Sequence, residues 1–247
     1  MLWLDIGNTR IKWQLDTADG VLAGAAGHGG GESLAQAPIW AELLPDTVVW
    51  VASVASPALR ERVSALCAAA GCPQVHWAVA SASLGGLHNS YAEPARLGVD
   101  RWLAMLAAWR EQQAPCLIID AGSAITVDWL DHNGQHRGGH IVPGLGLLEQ
   151  ALRQGTAGVR ANWLTEPNFG PGNSTDAAVS QGCLAMVVGY LRHVIDSAWP
   201  GSESARLLLC GGDGPLLEPF LPRPADWRAN LVLDGLREYA HLHGEGR

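Results

Sequence analysis

The feature that most constrains this chain is a short motif that occurs twice, near the start and near the middle of the sequence. In each copy an apolar run ends in an aspartate, followed by one apolar residue, a glycine and a polar residue. The copies are Asp5-Ile-Gly-Asn-Thr and Asp120-Ala-Gly-Ser. One Asp-x-Gly is uninformative, but two copies that each begin one half of the chain predict two similar domains facing each other across a nucleotide cleft.

The first copy has the pattern of a β-hairpin. Strict alternation resumes after Gly7-Asn8-Thr9, with polar Arg10, Lys12 and Gln14 set against apolar Ile11, Trp13 and Leu15. Alternation is the period of a half-buried strand, and Gly-Asn between two such runs favours a tight turn. The polar turn can bind phosphate or a hydrated cation, or it can be an ordinary solvated turn. Lys12 is the only lysine in the chain.

Composition limits the class of protein. The chain has 247 residues, 48% apolar and 16% charged, with a net charge of −8. It is long enough to bury a substantial core, and its acidity argues against a nucleic-acid surface. Five cysteines without a Cys-x-x-Cys pair predict buried thiols in a reducing compartment. Without a signal sequence or a long apolar run, we expect a soluble cytoplasmic protein that does not enter membranes.

The middle of the chain carries an aspartate with two interpretations. A helix is predicted from about Trp102 to Gln113, which places Asp100 at or just before its N-terminus. Asp100 can be a helix cap, or it can be a general base beside Arg101 and the helix amides, which would hold an anionic substrate. Tyr91 would be a nearby aromatic wall or a core residue.

Further elements support an α/β fold. The runs Val48–Val54 and Val75–Val79 predict strands around a helix that begins at Ser56-Pro57, a β-α-β unit. Asn173–Asp176 predicts the start of a long helix, in which Thr175 is a cap residue that can also contact a ligand. Asn230–Leu233 predicts a last strand, and residues 234–243 a last helix. His136 and His140 are separated by two glycines, which disfavours a helical zinc pair.

These motifs resemble a known superfamily. Asp5-Ile-Gly-Asn-Thr, Asp120-Ala-Gly-Ser and Gly211-Gly-Asp are similar to the two phosphate motifs and the adenosine motif of the actin, hexokinase and Hsp70 ATPases. Gly98-Val-Asp-Arg101 and Gly138-Gly-His-Ile-Val-Pro-Gly144 resemble motifs of the type III pantothenate kinases. The resemblance implies two actin-like (ribonuclease H-like) domains, residues 1–113 and 114–247, each a mixed sheet with flanking helices.

The resemblance also implies an activity, ATP-dependent phosphorylation of pantothenate, the first step of coenzyme A synthesis. It implies ATP with Mg²⁺, a monovalent cation (K⁺ or NH₄⁺) and a homodimer. The residues matching the family's ATP site are Asp5, Ile6, Gly7, Asn8, Thr9, Arg10, Ile11, Lys12 and Ser123. The residues matching its pantothenate site are Tyr91, Gly98, Val99, Asp100, Arg101 and Thr175. Asp100 matches the family's proton acceptor and Asp120 its monovalent-cation site.

One departure and two alternatives accompany this interpretation. The family commonly has threonine at Ser123, and often a second threonine near Ile125; serine keeps the hydroxyl, so the phosphate contact is expected to survive. One alternative is another kinase or phosphatase of the superfamily that acts on a sugar or a polyphosphate. The other is a non-catalytic regulatory accessory factor, from which we would expect Asp100 or one of the two motif aspartates to be missing.

Overall fold

The structure is a computed structural model that describes residues 1–27, 33–163, 168–198 and 205–244. The strands are β1 Leu2–Ile6, β2 Arg10–Thr17, β3 Gly20–Gly27, β4 Val49–Ser53, β5 Val75–Trp77, β6 Ser83–Leu84, β7 Leu87–His88, β8 Cys116–Ala121, β9 Ala124–Leu130, β10 His136–Pro143, β11 Arg206–Cys210 and β12 Asp226–Trp227. The α-helices are α1 Pro57–Ala69, α2 Val99–Glu111, α3 Leu145–Gly155, α4 Thr175–Ser197, α5 Gly214–Leu217 and α6 Leu231–Leu242. Short 3₁₀ segments lie at Leu34–Gln36, Pro38–Glu42, Pro94–Arg96 and Glu218–Phe220.

The chain forms two compact units. Unit one comprises Met1–Gln113, His132–His136 and the chain from Asn230 on, and unit two comprises Ala114–Asp131 and Arg137–Ala229. The predicted division at residue 113 left the C-terminal segment in the second domain, whereas the structure assigns it to unit one. The reason is packing: α6 lies against α2, β1 and β4, all of which belong to unit one.

The two units contain sheets of the same strand order. Unit one has the order β3-β2-β1-β4-β5, and unit two has β10-β9-β8-β11-β12. In each, the strand that ends at a motif aspartate pairs antiparallel with the next strand in sequence and parallel with a strand that follows later. The prediction of two similar α/β domains with mixed sheets and flanking helices is confirmed.

Alternation along β1 and β2 determines which helices cover the sheet of unit one. Leu2, Leu4 and Ile6 share a buried cluster with Leu59 and Val63 of α1. The other face, which includes Trp3 and Gln14, is contacted by α6 through Arg237. In unit two, β8 and β9 pack against α4, whose buried residues include Val179, Leu184 and Leu191.

The predicted strand over Asn230–Leu233 was wrong. These residues lead into α6, and the amide of Asp234 donates to the carbonyl of Asn230, a helical contact. A short apolar run fits a strand and a buried helix equally well, and here burial also continues to Leu236 and Tyr239 at helical spacing. The last strand is instead β12, which pairs parallel with β11.

All five cysteines are buried free thiols, as predicted for Cys116 and Cys210. Burial raises the pKa of the Cys116 thiol to about 12, so this group is a packing residue at neutral pH. Among the described residues, one helix, α4, is long and apolar enough to cross a membrane, by length and composition only. Half of its most apolar window is buried inside unit two, which is the pattern of a core helix.

Candidate active site

The first motif forms the hairpin that the sequence predicted. Asp5 lies opposite Lys12 in the register of β1 and β2, and the amide of Gly7 donates to the carbonyl of Arg10 over 3.0 Å. Asp5 and Lys12 are half-buried, while Asn8, Thr9 and Arg10 are exposed. Unit one therefore brings the predicted phosphate-binding residues Asp5–Lys12 together on one turn.

The second motif forms the corresponding hairpin of unit two. Asp120 lies near the end of β8 opposite Thr126 of β9, and Ser123 is exposed in the connecting turn. The amide of Gly144 donates to the carbonyl of Ser123 over 3.0 Å, and the amide of Asp213 donates to the carbonyl of Ala121 over 2.8 Å. Two later segments of the chain thus hold this turn through hydrogen bonds to its carbonyl groups.

Two glycines make these contacts possible. A Cβ on Gly144 would lie 2.3 Å from the carbonyl oxygen of Gly122. Gly211 has a φ of +89°, and a Cβ there would lie 2.4 Å from the carbonyl oxygen of Ala121 and from Oδ1 of Asp120. Both positions therefore need glycine. The resemblance made Gly211-Gly-Asp part of an adenosine motif, and the structure shows that Gly211 also packs against the protein itself.

Asp120, the predicted cation site, packs against Gly211. A Cβ on Gly211 would be close to both Oδ1 of Asp120 and the carbonyl oxygen of Ala121. Oxygen ligands of this kind suit a hard cation. Asp213 follows Gly211 by two residues, and burial raises the pKa of its carboxyl group. Across the described ranges, no group of three or more His, Cys, Asp and Glu side chains is arranged to hold a metal ion.

The first turn of α2 carries the predicted base. Gly98 is the N-cap of this helix and makes no side-chain capping bond, so the interpretation of Asp100 as the cap is wrong. Asp100 is the second helical residue, half-buried, and its Oδ1 accepts a hydrogen bond of 2.8 Å from the amide of Arg101. The carboxylate therefore lies at the positive end of the helix dipole.

Arg101 and Tyr91 form the second part of this arrangement. Nη1 of Arg101 donates to the hydroxyl of Tyr91 over 2.9 Å, and the guanidinium lies 5.9 Å from the centre of the Tyr91 ring. Arg101 is only 5% exposed, and Tyr91 is half-buried. The amide of Tyr91 donates to Oδ1 of Asn89, which fixes the local backbone. Unit one thus brings together Tyr91 and the Gly98–Arg101 segment.

Thr175 belongs to unit two and is the first residue of α4, with an exposed side chain. The capping bond is made by Ser174, whose Oγ accepts from the amide of Ala177 over 3.1 Å. The hydroxyl of Thr175 is therefore not the cap. It lines a cavity of about 920 Å³, whose other walls include Leu148 and Leu152 of α3 and Met186 of α4.

Sequence reasoning missed two groups of residues near these sites. Gly144 was noted only as part of a family motif, and its contact with the Ser123 turn was not expected. His136 was weighed only as a zinc ligand with His140. The structure puts His136 beside Ser90 in unit one and His140 beside Tyr190 in unit two. The spacing of the two histidines gave no signal for either contact.

Comparison with known proteins gives the family. The model of the type III pantothenate kinase family matches residues 1–197. The type III pantothenate kinase of Thiobacillus denitrificans is 38% identical, with 98% of this chain and 97% of that protein covered. The type III pantothenate kinase of Laribacter hongkongensis is 40% identical, with 98% and 99% covered.

Solved structures show the same fold at low identity. A Campylobacter jejuni protein described as a Baf family transcriptional activator has a TM-score of 0.64 at 19% identity, with 99% of both chains covered. MreB5 of Spiroplasma citri bound to ADP has a TM-score of 0.52 at 10% identity, with 97% of this chain and 95% of that chain covered. These neighbours agree with two actin-like domains. From the family model and the full-length relatives, the chain belongs to the type III pantothenate kinase family.

Proposed function

We propose that this protein transfers the γ-phosphoryl group of ATP to pantothenate and so forms 4′-phosphopantothenate, the first intermediate of coenzyme A synthesis. The observation that carries the proposal is the arrangement of Asp100, Arg101 and Tyr91 in unit one. It combines a carboxylate at a helix N-terminus with a buried guanidinium, which suits an acceptor that has both a hydroxyl and a carboxylate. The family to which the chain belongs is named for this reaction.

Asp100 is the proposed general base. Pantothenate attacks through a primary hydroxyl, whose proton must leave as the new P–O bond forms. Oδ1 of Asp100 already accepts from the amide of Arg101, so the first turn of α2 orients the carboxylate. Phosphoryl transfer depends mainly on positioning and charge compensation. One oriented base is therefore enough to activate the hydroxyl of the acceptor.

Arg101 and Tyr91 are proposed to bind the carboxylate end of pantothenate. A guanidinium offers several N–H donors in one plane, and one of them donates to the Tyr91 hydroxyl. Burial of Arg101 strengthens its interaction with an anion because water screens the charge less. Gly98 and Val99 are further proposed acceptor contacts in unit one. Thr175 is a proposed pantothenate contact in unit two.

The two motif hairpins are proposed to bind ATP. Asp5–Lys12 would contact the phosphates through turn amides, polar side chains and the ammonium of Lys12, and Ser123 would add a hydroxyl. A fit to phosphate is supported by Gly7 and Gly122: a Cβ on either would meet no protein atom closer than 3.5 Å. Packing within the protein therefore does not require glycine at these positions. Glycine there would allow a ligand to approach the backbone closely. Mg²⁺ bound with ATP would neutralise phosphate charge during transfer.

Asp120 is proposed to bind a monovalent cation, K⁺ or NH₄⁺. The supporting observation is that Asp120 is a half-buried carboxylate near the end of β8, and carboxylate oxygens suit a hard cation. Such a cation would add positive charge that an acidic chain lacks.

We also propose a cytoplasmic homodimer. The apolar walls near Thr175 support a subunit interface, since Leu152 and Met186, which line the cavity, are exposed at 38% and 56%. Size determination at several concentrations tests the dimer.

An acceptor panel tests the function. Purified protein would be given Mg-ATP with pantothenate, with a hexose or with inorganic polyphosphate, and the products identified by mass. We expect phosphorylation of pantothenate alone, at its primary hydroxyl. Transfer to a sugar would indicate another kinase of the same fold. A protein that binds ATP but phosphorylates none of these acceptors would support a regulatory role.

A further inference from the structure

The turn between β9 and β10 packs against the segment that leads to Tyr91. This turn, His132–His136, lies in unit one although β9 and most of β10 lie in unit two. The amide of His88 donates to the carbonyl of Gly134 over 2.8 Å, and Gln135 forms a parallel bridge with His88. Nε2 of Gln135 also donates to the carbonyl of His88 over 3.3 Å. The turn is thus attached by main-chain bonds just ahead of the proposed pantothenate residues.

Gly134 allows this close packing. It has a φ of +74°, and a Cβ there would lie 2.3 Å from the carbonyl oxygen of Gly86 and 2.8 Å from the ring of Trp109. A side chain at this position would push the turn away from unit one. The tight contact brings the following residue pair, Gln135 and His136, into place.

His136 then contacts the substrate segment directly. It is fully buried, and its Nδ1 forms a hydrogen bond of 3.0 Å with Oγ of Ser90. Its ring stacks on the ring of Tyr91, with centroids 6.1 Å apart and an interplanar angle of 19°. The Tyr91 hydroxyl in turn accepts the hydrogen bond from Arg101.

We propose that His136 is a positioning residue for the acceptor site, which holds Tyr91 by stacking and by its bond to Ser90, and so orients Arg101 for the acceptor carboxylate. This inference rests on the proposed pantothenate site. His136 acts through Tyr91 and Arg101 and takes no part in proton transfer. The base, Asp100, is oriented separately by the amide of Arg101 in α2. Loss of His136 should therefore weaken acceptor binding and leave the chemical step and nucleotide binding intact.

Two variants separate the hydrogen bond from the ring contact. Ser90→Ala and His136→Phe both remove the bond, while phenylalanine keeps an aromatic ring against Tyr91. We expect each to raise the KM for pantothenate about fivefold, with kcat and the KM for ATP within about twofold of wild type. The double variant should equal either single one, because both remove the same interaction. His136→Asn, which keeps a polar group but loses the ring, should raise the pantothenate KM as well.

Controls distinguish this role from a general effect on folding. His140 lies on the same strand, is exposed and contacts Tyr190 in unit two, so His140→Phe should leave all three constants unchanged. Thermal melts and ATP binding would be measured for every variant. If His136 variants fail to fold, Ser90→Ala, a small change at an exposed residue, decides the question.

An unchanged pantothenate KM in Ser90→Ala and His136→Phe would overturn the inference. Parallel losses in kcat and in both KM values would also overturn it, since they would indicate a purely structural role. Tyr91→Ala separates this inference from the site on which it rests. If Tyr91→Ala raises the pantothenate KM while the Ser90 and His136 variants do not, only the role of His136 fails. If the wild-type protein does not phosphorylate pantothenate, the proposed function fails first.

Discussion

The two motif hairpins occupy the same position in sheets of the same order, yet their turns are held differently. In unit two, the turn after β8 is held by main-chain bonds from Gly144 and Asp213, and Gly211 packs against it. In unit one, the amide of Val54 likewise donates to the carbonyl of Ile6, over 3.3 Å, but Asn8, Thr9 and Arg10 are exposed, and a Cβ on Gly7 would meet only the carbonyl oxygen of Arg10, at 3.6 Å.

This difference shows how a duplicated element can specialise. Tight main-chain packing around the second turn fixes its geometry through the fold, which suits a site for a cation and a single hydroxyl. The first turn has exposed polar side chains, which suits close contact with phosphates. Unit one also carries Asp100, Arg101 and Tyr91, the residues proposed for the base and for the carboxylate of the acceptor.

The largest expected effect concerns the base. Asp100→Asn should lower kcat by about 10²–10⁴-fold and leave ATP binding largely intact, because the amide keeps the shape but cannot accept the proton. Asp176 provides a matched control: it is also the second residue of its helix, α4, but lies in unit two and accepts from the amide of Asn162. Near-normal turnover in Asp100→Asn, or an equal loss in Asp176→Asn, would contradict the assignment of the base to unit one.

The next effect concerns Lys12, which lies opposite Asp5 in the first hairpin. Lys12→Met should raise the KM for ATP about 10–100-fold, because it removes the positive charge proposed to contact the phosphates. Thr126 occupies the corresponding register position opposite Asp120, so Thr126→Val is the matched change in unit two. We expect a much smaller change there. If steady-state kinetics gave the same increase in the KM for ATP in both variants, the two hairpins would not differ in their contact with the phosphates.

A third effect concerns stability. Gly144→Ala should destabilise the protein by about 1–3 kcal/mol, because its Cβ would overlap the carbonyl oxygen of Gly122. Gly7→Ala should leave the melting temperature nearly unchanged while raising the KM for ATP. Thermal melts of both variants test the distinction. A larger loss of stability in Gly7→Ala than in Gly144→Ala would reverse the comparison of the two turns.

The smallest effect concerns pH. Although burial opposes it, hydrogen bonds from Arg237 and Trp3 hold the pKa of Asp16 below its usual value. A lowered folded-state pKa gives stability that is present above the unfolded value, near 4, and lost as the pH falls through the folded value. Asp16→Asn should therefore reduce stability at pH 7 by less than about 1 kcal/mol. The difference from wild type should disappear in acid melts, and a difference that grows with acidity would contradict the prediction.

The sequence predicted the two hairpins and their place in the fold because alternation, turn residues and a repeated aspartate agree at both sites. It could not predict that Leu231–Leu233 begins a helix, because three apolar residues fit either structure. Asp100 was placed near a helix start, but only the backbone shows that Gly98 is the cap. His136 gave no local signal, since its contacts with Ser90 and Tyr91 join residues far apart in sequence.

The most direct test of the account is ATP consumption by the purified protein with pantothenate, in the presence and absence of K⁺ or NH₄⁺. The same assay would be run on Asp120→Asn. We predict turnover that requires pantothenate and is stimulated by the cation in the wild-type protein, with the stimulation lost in Asp120→Asn. Binding of ATP without pantothenate-dependent turnover would contradict the account. If cation stimulation survived in Asp120→Asn, the assignment of the cation site to Asp120 would be wrong.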